Sequence, residues 1–127
     1  MNKKIIAYLE DIQGIRDYAE YLLESEFPNH EIVAHHGKEF IADFRSKRQI
    51  SDLAVICTDG WLSGTNGWEI MEELRKLGYN GPAIYTGDTP LPEDKRKLYV
   101  AQTSKFGSSL IDKIKELIKN DGDSPHD

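Results

Sequence analysis

Glu10, Asp11, Asp59, Thr86 and Lys105 are the side chains whose types and spacing suit chemistry. Each stands at or just past the end of an apolar run. Residues 4–9 lead into Glu10 and Asp11, 53–58 into Asp59, 82–85 into Thr86 and, less cleanly, 99–104 into Lys105. If those runs are parallel strands, their carboxyl ends meet along one sheet edge, where open α/β sheets bind ligands. Carboxylates gathered there repel one another and need a cation. Magnesium suits them, because it takes carboxylate, water and phosphate oxygens in an octahedral shell; manganese is the alternative. Two adjacent acids at a strand end cannot both point the same way, so one ligates directly and the other through water. A backbone carbonyl just after Asp59 would add a ligand without adding charge. Asp59 itself can serve as a nucleophile that forms an acyl phosphate. Lys105 then offers a point charge to one phosphoryl oxygen, and Thr86 a hydroxyl to another.

The elements that must position these groups follow from the hydrophobic pattern. Residues 4–9 read as a strand buried on both faces, as in a parallel sheet. Residues 13–26 carry Ile15, Tyr18, Ala19, Leu22 and Leu23 at helical spacing, and Pro28 and Asn29 stop that helix. A short strand over 30–34 and a helix over 37–48 follow. Residues 53–58 are the clearest strand, rich in branched side chains. Residues 59–67 form a glycine-rich loop, and 68–77 a helix with Gly78 as its C-terminal glycine. Gly81 and Pro82 turn the chain into a strand over 83–86. A short helix fits after Pro92, a weak fifth strand over 99–103, and a last helix capped by Ser108 or Ser109. Alternation at this spacing predicts a doubly wound α/β domain, a parallel sheet covered on both faces. One domain over residues 1–119 is expected, with a flexible polar tail over 120–127 and no linker or repeat.

Composition narrows the function classes. The chain has 127 residues, 39% hydrophobic and 30% charged, which suits one soluble domain. No apolar stretch approaches the ~20 residues of a membrane helix, and no secretory leader is expected. The net charge of −6 argues against direct nucleic-acid binding. Basic groups at Lys3–Lys4, Arg45–Arg48 and Lys95–Lys97 read as solvated faces. The single cysteine, Cys57, reads as a small buried hydrophobe rather than a reactive thiol, and suits a reducing cytoplasm. His30, His35, His36 and His126 lack zinc spacing, and the adjacent His35 and His36 should diverge on a strand. Trp68 and Met71 read as packing residues. Gly60, Gly64 and Gly67 do not make a nucleotide loop, since no GK[ST] follows.

Taken in order, these motifs resemble the receiver domains of two-component response regulators, of the chemotaxis-regulator type. The acidic pair is Glu10-Asp11 in AYLED, and the phosphoacceptor is Asp59 in LAVICTDGWLSGTNG, with Gly67 closing the loop. Thr86 in AIYTGD matches the family's hydroxyl position and Lys105 in SKFG its lysine. The resemblance spans residues 4–119. It implies a flavodoxin-like (βα)5 three-layer sandwich with strand order 2-1-3-4-5 and a short or altered fourth helix. It further implies that a sensor histidine kinase or histidine phosphotransfer protein donates a phosphoryl group to Asp59. Asp11, Asp59 and the Trp61 carbonyl would surround magnesium, with Glu10 helping through water. A conformational switch would then alter binding to a downstream protein target, with a homodimer also allowed. Such a domain catalyses its own phosphorylation and dephosphorylation without being an enzyme in the ordinary sense.

The chain departs from the family at several positions. Phe106 stands where the family usually has proline, often after a cis bond. Gln102 stands at the aromatic switch position, with Tyr99 the nearest aromatic and out of register. Trp61 and Asp88, two residues beyond Asp59 and Thr86, occupy positions that tune phosphoryl lifetime in the family, with opposing expected effects. Ser63 replaces the usual loop proline. The altered Lys105-to-Gly107 segment and the missing aromatic support one rival, a receiver-like interaction module that works without phosphorylation. The other rival, a small phosphatase using Asp59, has only Asp88 as an acid-base candidate.

Overall fold

The computed structural model describes residues 3–119; the expected tail over 120–127, with His126, lies outside the described residues. The elements are β1 (Ile5–Leu9), α1 (Gln13–Glu26), β2 (Glu31–His35), α2 (Phe40–Arg45), β3 (Leu53–Thr58), β4 (Trp61–Leu62), β5 (Thr65–Asn66), α3 (Gly67–Lys76), β6 (Ala83–Tyr85), β7 (Ala101–Gln102) and α4 (Ser108–Lys119). Five strands form a parallel sheet in the order β2-β1-β3-β6-β7, which is 2-1-3-4-5 when only these strands are counted. β1 and β3 lie at its centre and are buried at every position, as their unbroken apolar runs require.

Alternate residues of the strands feed two cores. Ile5, Ala7 and Leu9 pack with Phe40 and Phe44 of α2 and Ile70, Met71 and Leu74 of α3. Ile6 and Tyr8 pack with Ala19 and Leu23 of α1 and Leu110, Ile111 and Ile114 of α4. The result is a three-layer sandwich with helices on both faces. Burying both faces at every position leaves the sheet's carboxyl edge as the place where polar side chains gather.

Several local expectations need correction. α2 is shorter than the 37–48 span, because Glu39 ahead of it adopts a left-handed backbone with φ 61°, outside the helical basin. The loop over 59–67 contains a two-stranded hairpin, β4 against β5, closed through Gly64 at φ +79°. The fourth helix, by contrast, is short and altered as expected, a 3-10 segment over Glu93–Leu98. α4 begins at Ser108 itself, so Ser108 and Ser109 lie inside the helix and Gly107 precedes it at φ +106°. His35 and His36 do not diverge: β2 ends at His35, and the two rings lie 4.3 Å apart. His35 Nδ1 accepts the Gly37 N–H and its Nε2 lies 2.7 Å from Asp43 Oδ2, so the ring is tied into the fold. Among the described residues, no helix is long and apolar enough to cross a membrane.

Candidate functional site

The sheet's ladder continues one residue past the strand ends and aligns the polar groups. Glu10 N–H donates to His35 C=O at 3.0 Å, Asp59 N–H to Leu9 C=O at 3.2 Å and Thr86 N–H to Thr58 C=O at 3.0 Å. Glu10, Asp59 and Thr86 are thereby fixed side by side at the carboxyl edge, and all are buried. Lys105 arrives from the loop between β7 and α4. Its Nζ lies 3.0 Å from Glu10 Oε1 and 3.0 Å from Asp59 Oδ2. Asp59 Oδ1 accepts the Gly60 N–H at 2.7 Å, and Glu10 Oε2 accepts the Ile12 N–H at 3.1 Å. Asp11 completes the acid set: one oxygen from each of Glu10, Asp11 and Asp59 lies within 4.8 Å of the others. Ser63 donates to Asp11 Oδ2 at 3.3 Å.

The electrostatics follow from this geometry. Burial raises the Glu10 carboxyl above its ordinary value, and the Asp59 charge adds to the rise, while the Lys105 and Ile12 hydrogen bonds act against it. Burial alone would lower the Lys105 ammonium, but its bonds to Asp59 and Glu10 hold it above the ordinary lysine range. With all groups ionised, three carboxylates face one ammonium, so the cluster keeps excess negative charge. That donor set fits a hard divalent cation.

Thr86 Oγ1 is buried and has no hydrogen-bond partner. A hydroxyl left this way costs about 1–3 kcal/mol unless a ligand oxygen meets it. Thr86→Val, which keeps the shape and removes the hydroxyl, is expected to stabilise the unliganded protein by about 1 kcal/mol in urea unfolding. A loss of stability instead would mean that the hydroxyl already has a partner.

The remaining sequence candidates divide. Gly67 N–H donates to Gly60 C=O at 3.0 Å, which makes 61/66 the pair without cross-strand bonds. The Trp61 carbonyl therefore points out of the hairpin ladder. The Trp61 ring is largely exposed and packs edge-on against Trp68. Asp88 is exposed in the loop beyond Thr86, and Gln102 is exposed, with its Nε2 3.4 Å from Gly87 C=O in that loop. Tyr99 stacks edge-on against buried Tyr85, whose hydroxyl donates to Thr89 C=O at 2.7 Å. The Lys105–Phe106 bond is trans, as no cis peptide occurs among the described residues, and Lys105 still reaches both carboxylates.

Sequence reasoning missed two contributors. Gly87 approaches Asp59 so closely that a Cβ there would sit 2.7 Å from Asp59 Oδ1. Tyr8, fully buried in β1, donates its hydroxyl to the Lys105 carbonyl. A tyrosine inside an otherwise apolar strand was the available signal, since a buried phenol needs a partner.

Comparison with protein-family models and with curated proteins finds no match. Solved structures do match. A CheY-like response regulator receiver domain from Methanospirillum hungatei JF-1 superposes with a TM-score of 0.74 at 19% identity, covering 94% of this chain and 96% of that one. A CheY-like receiver domain from Methylobacillus flagellatus gives a TM-score of 0.72 at 15% identity, covering 94% and 98%. The fold is that of a receiver domain. A chain from the complex of histidine kinase ThkA with response regulator TrrA matches at a TM-score of 0.68 and 22% identity, covering 92% and 97%. The receiver fold accounts for the position of the acid cluster, since its strand order brings the ends of β1, β3 and β6 together.

Proposed function

We propose that this protein is a phosphoryl-accepting receiver switch with Asp59 as the acceptor. The observation that carries the reading is the double contact of Lys105 Nζ with Asp59 and Glu10, beside Asp11, in a fold shared with receiver domains. A carboxylate oxygen of Asp59 attacks phosphorus, the P–N bond to the donor imidazole breaks, and its electron pair stays on the imidazole nitrogen. Lys105 turns its ammonium from the carboxylates toward a phosphoryl oxygen, and the unpartnered Thr86 hydroxyl donates to another. Glu10, Asp11, Asp59 and the Trp61 carbonyl would hold magnesium, or manganese in its place. The ion would neutralise the carboxylates and the charge on the transferred group. Gly60 N–H keeps the Asp59 carboxylate oriented through Oδ1.

The donor in this reading is a sensor histidine kinase or histidine phosphotransfer protein in the cytoplasm, and the acceptor also catalyses its own dephosphorylation. A chain from a kinase–regulator complex shares the fold, which supports the pairing. Output to a downstream protein would use a face rebuilt around the 3-10 segment. Lys95 ties that segment to Glu72 at 2.7 Å, and Arg75 bonds Leu98 C=O at 2.9 Å.

The test is intact mass after incubation with acetyl phosphate, with and without magnesium. Wild type is expected to gain one phosphoryl group only with the metal, and Asp59→Asn none. No gain from acetyl phosphate or from a phosphohistidine donor would favour an interaction module that works without phosphorylation.

A further inference from the structure

Lys105 is held at its head by carboxylates that close on it from the ends of β1 and β3, yet it sits in a loop between β7 and α4 with Phe106 after it. The question is what fixes its backbone. Phe106, which follows it, lies 40% exposed and rests edge-on against Tyr18 of α1 at 5.1 Å. That contact is peripheral. The buried contact is the hydrogen bond from the Tyr8 hydroxyl to the Lys105 carbonyl.

We propose that Tyr8 is a positioning residue: its buried hydroxyl fixes the Lys105 backbone so that the ammonium falls between Glu10 and Asp59. Side chains two residues apart on a strand project from the same face. Tyr8 and Glu10 stand in that relation at the end of β1, and the Glu10 N–H to His35 C=O bond carries the ladder through to the second of them. β1 thus grips the lysine twice, at its carbonyl through Tyr8 and at its ammonium through Glu10. The long flexible lysine side chain loses rotamer freedom when so held, an entropic cost that would otherwise be met at the moment of reaction. Anchoring both ends moves that cost to folding. Tyr8 suits the task because its ring is fully buried between sheet and helices, against Ile6, Ala19 and Cys57 in the core beneath α1 and α4. The consequence for phosphoryl transfer rests on the function proposed above; the positioning itself does not.

Lysine acylation reads the positioning without any phosphoryl chemistry. Trace labelling with an N-hydroxysuccinimide acetate, followed by peptide mass analysis, compares Lys105 with the exposed Lys38 in one sample. In wild type Lys105 should label more slowly than Lys38. In Tyr8→Phe, which keeps the ring, the Lys105 rate relative to Lys38 should rise about fivefold, the effect of one lost hydrogen bond. Tyr79→Phe is the control, because it removes another buried tyrosine hydroxyl, the one donating to Pro82 C=O at 2.6 Å, far from the lysine. A Lys105 ratio in Tyr8→Phe within twofold of wild type overturns the proposal, as does an equal rise in Tyr79→Phe, which would mean general loosening. If the labelling result holds but wild type takes up no phosphoryl group, the positioning stands and the phosphoryl reading falls.

Discussion

Lys105→Ala is expected to slow phosphoryl uptake at Asp59 by about 100-fold while strengthening magnesium binding about tenfold. The first effect follows from losing the only ammonium within reach of the nucleophile among the described residues, so charge on the transferred group goes uncompensated. The second follows because the ammonium competes with the metal for the same carboxylates. Removing it leaves three acids with no cation among them, which deepens the potential that a divalent ion meets. Stability without metal should fall by about 3 kcal/mol, since Glu10 is fully buried and loses its ion-pair partner. Added magnesium should then restore a larger share of stability to the variant than to wild type. A mass time course gives the rate, and tryptophan fluorescence during magnesium titration gives the affinity. A variant that takes up phosphoryl at the wild-type rate would remove Lys105 from the mechanism. Weaker metal binding would show that the lysine organises the carboxylates rather than opposing the ion.

Gly67→Ala is expected to destabilise the protein by about 3 kcal/mol and to disturb the acceptor with it. A Cβ at position 67 would sit 2.1 Å from the Asp59 carbonyl oxygen and 2.4 Å from Thr58 Oγ1. The first neighbour is backbone at the end of a fully buried strand and cannot turn aside as a flexible side chain would. The start of α3 must therefore move away from β3, at the cost expected of overpacking. Such movement would also strain the Gly67 N–H to Gly60 C=O bond that aligns the hairpin and the Trp61 carbonyl. Thermal unfolding should show a fall of roughly 10 °C. Gly14→Ala is the matched control: nothing lies within 4 Å of its Cβ, and alanine favours the helix it occupies. That variant should be neutral or slightly more stable. If both glycines tolerate alanine equally, the close approach of α3 to Asp59 is not what holds the loop.

Local pattern carried much of this fold. β1, β3 and α1 were legible to within a residue or so because each is defined by its own burial: unbroken apolar runs for strands covered on both faces, and 3.6-residue spacing for the helix. The residue types at the strand ends were legible for the same reason, since a polar group directly after a buried run must lie at the sheet's edge. Spacing alone overextends α2, because Phe40, Ile41 and Phe44 keep helical periodicity while the left-handed turn at Glu39 leaves no trace in it. The hairpin within residues 59–67 leaves no signal in the sequence, since two-residue strands show no period. Residue type points to Ser108 or Ser109 as the cap of α4, whereas its first turn begins on the serines themselves.

By itself, then, the sequence determined the alternation of strands and helices, the burial of β1 and β3, and a set of acids, hydroxyl and ammonium due at one edge. Tertiary structure alone decided the pairings. Lys105 meets Glu10 and Tyr8 across separations of 95 and 97 residues, and Asp59 across 46. It also decided that Ser63 reaches Asp11, that the Thr86 hydroxyl is left without a partner, and that Gln102 stays outside the cluster. The physical reason is that hydrophobic periodicity reports which face of an element is buried, whereas a hydrogen bond depends on distances of a few ångströms between atoms that only the closed sheet brings together.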